Sequence, residues 1–166
     1  MYSDLVRKAL EEAGWYPGRK IDIKPYIEAL KAEGYDEVPQ VLKDFLTEFG
    51  GLHLKERPFT DWSDIVKDNP ELKKYREPPD RIMHFDVLES QGTGPVVPIS
   101  KEEIFEPRVG EDLIPFGEIY DGRYLLAMTP TGKIYAIDGT SILYLGKDYI
   151  EMLENDYHRV RPVEVP

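Results

Sequence analysis

Apolar residues set the first elements of the chain. Leu5, Val6, Ala9, Leu10 and Ala13 recur at intervals of three and four, the spacing that gathers side chains on one face of an α-helix. The pattern predicts a helix over residues 3–13, with Gly14 supplying the left-handed residue that helix ends favour. Tyr26, Ile27, Leu30 and Ala32 repeat it behind Pro25, which suits a first-turn position, and Gly34 closes it. A third helix is predicted from near Val38 and Pro39, with Val41, Leu42, Phe45, Leu46 and Phe49 on one face and a stop at Gly50-Gly51.

Beyond residue 51 the period changes from helical to alternating. Residues 52–57 read as a half-buried strand that Pro58 interrupts, and residues 82–87 read as another. The roughly 24 residues between them are many for a plain connection. A short helix is expected within 61–75, capped by Asp61 or Ser63 and broken at Asn69-Pro70. Gly92-Thr93-Gly94-Pro95 and Pro98 mark a loop. From Asp112 onward the pattern becomes a meander, with strands predicted at 113–119, 124–128, 133–137 and 141–145. Asp121-Gly122, Thr131-Gly132 and Asp138-Gly139 provide the tight turns. Tyr149, Ile150, Met152 and Leu153 suggest a last helix after Gly146, followed by a short proline-bearing tail. The expected architecture is α+β: N-terminal helices packed on a mostly antiparallel β-sheet with a closing C-terminal helix, residues 1–166 forming one domain.

Composition narrows what such a domain does. Hydrophobic residues at 41% and charged residues at 32% suit a folded domain rather than a disordered chain. The absence of cysteine removes disulfides, thiolate catalysis and every cysteine-ligated metal, and agrees with a cytoplasmic location. The opening Met1-Tyr2-Ser3-Asp4 lacks the basic flank and apolar run of a signal peptide. No stretch approaches the ~20 apolar residues that span a bilayer, so no membrane association is expected. The net charge of −11 is uneven: residues 1–83 hold 17 acids against 14 bases, and residues 84–166 hold 15 against 7. An acidic excess repels nucleic-acid phosphates and anionic lipid, and speeds encounter with a basic protein. It also serves plain solubility.

Candidate chemistry is sparse. No two of His53, His84 and His158 stand three to five residues apart, so a metal site would require the tertiary fold to join distant positions. His53 and His84 lie on predicted strands, where histidine more often packs than ligates. The serines lack a nucleophile elbow, and the Gly92 loop lacks the lysine and following helix of a phosphate cradle. Thirty-two carboxylates guarantee acid pairs by number alone. No catalytic, metal or cofactor residue is assigned, no cofactor is expected, and the chain is read as a non-enzyme.

The most unusual string is Gly14-Trp15-Tyr16-Pro17-Gly18-Arg19. Its structural reading is a rigid turn in which Trp15 packs between the first helix and the sheet and Arg19 bonds carbonyls left open at the end of that first helix; its functional reading is an exposed aromatic anchor. These residues, with Phe45-Leu46, Phe49-Gly50-Gly51-Leu52, Leu113-Ile114-Pro115-Phe116-Gly117, Leu125-Leu126-Ala127-Met128, Gly132-Lys133-Ile134-Tyr135 and Leu145-Gly146, resemble the SUKH-3 branch of the SUKH (SMI1/KNR4-like) superfamily over about residues 5–153. The resemblance implies an α+β immunity protein of a bacterial polymorphic toxin system. Such a protein binds and occludes a cognate toxin domain, often a nuclease or nucleic-acid deaminase, and needs no cofactor. The stretch 57–80 is longer and more charged than the family pattern. A cytoplasmic regulatory or scaffold domain of the SMI1/KNR4 type is the alternative, and an enzyme using surface carboxylates is a further one.

For the partner-binding surface, charge density points to residues 102–121, where seven acids accompany a single base. Glu102, Glu103, Glu106, Glu111, Asp112, Glu118 and Asp121 are expected to gather on one rim beside the Pro-Phe-Gly strand. The connection carrying Asp61, Trp62, Asp64 and Asp68 is the second candidate. The expected partner is a basic toxin; the sequence fixes no oligomeric state.

Overall fold

The computed structural model describes residues 1–88, 105–139 and 141–166. Helices α1 (Asp4–Glu12), α2 (Lys24–Ala32) and α3 (Gln40–Phe49) come first. The Ser3 hydroxyl accepts from the Val6 amide and caps α1, a favoured N-cap arrangement. Gly14 and Gly34 follow α1 and α2 with φ of 102° and 93°, the left-handed geometry that terminates helices at glycine. Each predicted apolar face supplies the buried residues of its helix, Val6 and Leu10, Tyr26 and Leu30, and Leu42, Phe45, Leu46 and Phe49, while Ala32, predicted on the second face, is exposed.

Seven strands described here form one antiparallel sheet in chain order: β1 (His53–Lys55), β2 (Ile82–His84), β3 (Ile114–Ile119), β4 (Tyr124–Met128), β5 (Ile134–Asp138), β6 (Ser141–Gly146) and β7 (Val163–Glu164). Helix α6 (Tyr149–Tyr157) follows β6, so the architecture is the expected α+β. Between β1 and β2 the chain forms α4 (Trp62–Asp68) and a 3₁₀ turn (Pro70–Lys74), divided at Asn69-Pro70. Asp61 stands at the N-cap position of α4 without a side-chain cap bond. The single-turn helix α5 (Glu106–Val109) and strand β7 are elements the apolar pattern did not predict. The Gly92 loop lies outside the described residues.

Strand alternation divides the apolar side chains between two faces. Leu126, Met128, Ile134 and Ala136 join the helices in the main core, while Ala127, Tyr135, Ile137 and Ile142 join Phe105 and Leu113 on the other face. That second face is closed by Val109 of α5 and Val165 of the tail, with the Arg108 guanidinium donating to the Val165 and Pro166 carbonyls. The β3–β4 register shifts between Pro115 and Gly117. A Cβ on Gly117 would meet the His84 carbonyl oxygen at 2.1 Å, so this close approach of β2 to β3 requires glycine.

Trp15 is 8% exposed. Its indole N–H donates to Glu48 of α3 at 2.9 Å and its ring meets Tyr2 edge-on, so its polar tie is to α3 rather than to the sheet. Arg19 donates to the carbonyls of Glu48 and Gly50. The open helix end it satisfies is that of α3, some thirty residues further along the chain.

Candidate partner-binding surface

The acids of the 102–121 stretch are not all on one rim. Glu102 and Glu103 lie outside the described residues. Glu106 accepts from the Leu113 amide at 3.0 Å. Glu111 accepts from the Thr131 hydroxyl at 2.6 Å and from the Lys133 ammonium at 2.7 Å, and Lys133 holds its carboxyl below the usual range. Asp112 is exposed beside them. Glu118 sits within β3 at 7% exposure, in register with His84 of β2 on one side and Leu125 of β4 on the other. Asp121 is exposed beyond the far end of β3, so the whole strand, about 17 Å at the usual rise per residue, lies between it and Asp112. Glu106, Glu111 and Asp112 therefore share one end of the strand and Asp121 the other.

At the Asp121 end the structure builds a groove. Pro58, Phe59, Thr60, Trp62 and Ile65 line one part of it and Glu77, Pro78, Pro79, Asp80 and Arg81 another, around a cavity of about 400 Å³. Prolines and aromatics give an apolar wall at small entropic cost, since their side chains have few rotamers to lose. The tail closes over it: the Arg161 guanidinium lies 5.2 Å from the centre of the Phe59 ring, and Arg159 pairs with Asp61. Trp62 is half-buried, and Asp64 and Asp68 stand exposed on α4. Of the second sequence candidate Trp62 alone lines this groove, Asp61 reaching the tail's Arg159, and Asp121 is tied to the groove through Glu56.

Glu56 is the residue that sequence reasoning missed. It follows β1, is 4% exposed, lines the groove, and accepts from the amides of Tyr120 and Asp121 at 3.1 and 3.2 Å. Tyr120, Asp121 and Gly122 all have positive φ, at 56°, 59° and 75°, so the carboxylate clamps a left-handed turn that only Gly122 adopts freely. Burial pushes the Glu56 carboxyl up, against the pull of those two amides. Asp156 on α6 is also buried, at 6%. Burial, then the Glu56 charge, raise it to about 7, with Arg81 opposing. Around this pair, Arg57 donates to the Tyr157 carbonyl and the Tyr157 hydroxyl donates to the Lys55 carbonyl, fastening α6 to the start of the groove. In the sequence, the pair Pro78-Pro79 within charged residues was the available signal for a rigid wall.

Chemically, the groove offers apolar contact flanked by both signs of charge, which suits a protein side chain or segment. Among the described residues no group of three or more acids or histidines stands close enough to hold a metal ion, and no helix is long and apolar enough to cross a membrane. Neither a curated protein nor a solved structure matches the chain. A family model described as SUKH-3 immunity protein matches residues 2–155.

Proposed function

This chain belongs to the SUKH-3 immunity protein family, and from that premise we propose that it works in the cytoplasm by binding a cognate toxin domain and covering its active cleft, with no chemistry of its own. The observation that carries the reading is the family match across nearly the whole chain. The net charge of −11 supports a basic partner. A nuclease or nucleic-acid deaminase must draw phosphates into its cleft, and an acidic inhibitor is attracted by the same field. Nucleic acid itself and anionic membrane are disfavoured as partners by that sign.

The contact surface we propose is the groove end of the sheet. There Phe59 and Trp62 offer aromatic anchors, and Asp64 and Asp68 on α4 and Asp121 on the β3–β4 turn stand exposed. The Glu106, Glu111 and Asp112 end is the alternative contact. The groove's proline and aromatic wall also favours a second reading, a regulatory domain that docks a peptide in the SMI1/KNR4 manner. Co-expression separates the two. An immunity protein restores growth to cells producing the toxin domain encoded beside it and copurifies with that domain. Trp62→Ala should abolish both effects while leaving the melting temperature near that of the natural chain. Full toxicity in the presence of the natural chain would overturn the immunity reading.

A further inference from the structure

Antiparallel pairing sets His53 of β1 directly opposite His84 of β2. Leu54 and Met83, their neighbours in the same ladder, are wholly buried in the main core, so both imidazoles stand on the opposite face by strand alternation. Their Nδ1 atoms are 2.5 Å apart and their ring centroids 4.7 Å apart. Such a contact accommodates one proton: one ring donates its Nδ1–H and the other accepts. Glu118 of β3 is in turn the register partner of His84, which places a carboxylate position in the same row across three strands.

We propose that His53 and His84 form a two-histidine site for a first-row divalent transition metal, the ion taking the place of the shared proton between the two Nδ1 atoms. Metal–imidazole bonds of about 2.0–2.1 Å at tetrahedral or square geometry separate the two nitrogens by about 2.9–3.4 Å. The rings need open by less than about 1 Å, and His53 lies exposed and able to move. Imidazole suits zinc, nickel and copper. With the exposed His53 as the donating ring, its Nδ1 proton moves to its own Nε2 through solvent on binding, while His84 keeps its proton on its buried Nε2, so both rings remain neutral. Two protein nitrogens with water completing the coordination make an exchangeable site rather than a permanent structural one. Its consequence is mechanical: the groove is the connection between β1 and β2, and the histidine pair stands at the far end of the ladder from which that loop leaves and to which it returns, beyond Leu54–Met83 and Lys55–Ile82. A metal clip there would fasten the two strands from which the groove hangs.

The test is calorimetric titration of the full chain, untagged and stripped with chelator, with zinc, nickel or copper chloride in a non-coordinating buffer at about pH 7.5. One equivalent should bind with a micromolar dissociation constant and raise the melting temperature. Affinity should fall at least tenfold at about pH 5.5, as protons compete for the imidazoles. His53→Gln, at an exposed position, should keep the native circular dichroism and lose the binding. His84→Gln should lose it too, and His158→Gln, whose imidazole faces Glu154 and Ser3, should retain it. Binding that survives in His53→Gln, or no uptake by the natural chain at about a hundredfold metal excess over micromolar affinity, would overturn the site.

Discussion

Trp15 shows what a single residue contributes when the chain turns sharply after α1. The ring is buried against Tyr2, its N–H is satisfied by Glu48, and the Arg7 guanidinium lies 5.9 Å from its centre. Trp15→Ala removes that packing and leaves a buried void, so a stability loss of about 3–5 kcal/mol is expected in denaturant titration. Partner binding should fall only in proportion to unfolding; a variant that keeps its melting temperature and loses its partner would assign the ring to the interface instead. Asp156 makes a residue-scale prediction of opposite sign. Its carboxyl titrates near 7 in the fold and near 3.9 in an unfolded chain, so the folded state binds the proton more tightly. Its contribution to stability is fully present below the unfolded value and is lost as pH rises through 7. Asp156→Asn should therefore stabilise the protein at pH 8 relative to the natural chain, by on the order of a few kcal/mol, and by much less at pH 4. Stability curves of the two proteins that run parallel from pH 4 to pH 8 would remove the buried acid from this role.

At the scale of elements, the hairpin after β3 depends on one side chain from the residue that follows β1. Glu56→Ala deletes the acceptor for the Tyr120 and Asp121 amides without touching the β4–β5 ladder. Amide exchange at those two positions should accelerate while Leu126 and Ala136 in the sheet centre stay protected. The global loss should be about 1–3 kcal/mol, since burial of the carboxylate offsets part of what its bonds supply; uniform acceleration across the sheet would instead mean that the clamp supports the whole fold. Elements with a strong apolar period were legible in the sequence: α1 to α3, and the hairpins of β3 to β6 with their glycine turns. Those held by tertiary contacts alone were not. Strand β7 is two residues long, too short to carry any period, and is fixed by its pairing to β6 and by Arg108 on the adjacent carbonyls. The misplacement of Glu118 has the same origin. A charge in an alternating strand reads as solvent-facing, whereas Glu118 is 7% exposed on a central strand between β2 and β4. The groove escaped for a related reason, because its walls come from an aperiodic connection and the tail that meets Phe59 and Asp61 is nearly a hundred residues away.

Over the whole molecule, the sign of the charge was readable from composition, but where it is free to act was not. Glu111 is tied to Lys133 and Asp61 to Arg159, and an acid already paired contributes little to the distant field because its partner cancels it. Exposed acids outside such pairs, Asp64 and Asp68 on α4 and Asp121 on the β3–β4 turn, are the ones whose field reaches a partner approaching the groove. Steering by such charges changes the association rate and its salt dependence far more than dissociation, because it acts before contact and is screened beyond about 8–10 Å at physiological ionic strength. Replacing Asp64, Asp68 and Asp121 together by Asn should leave the melting temperature nearly unchanged. It should slow association with the toxin domain severalfold at low salt and flatten the dependence of that rate on ionic strength. Stopped-flow binding at two salt concentrations measures both quantities. If rate and salt slope stay as in the natural chain, while Glu106→Gln with Asp112→Asn reduces them, the toxin approaches from the opposite end of β3.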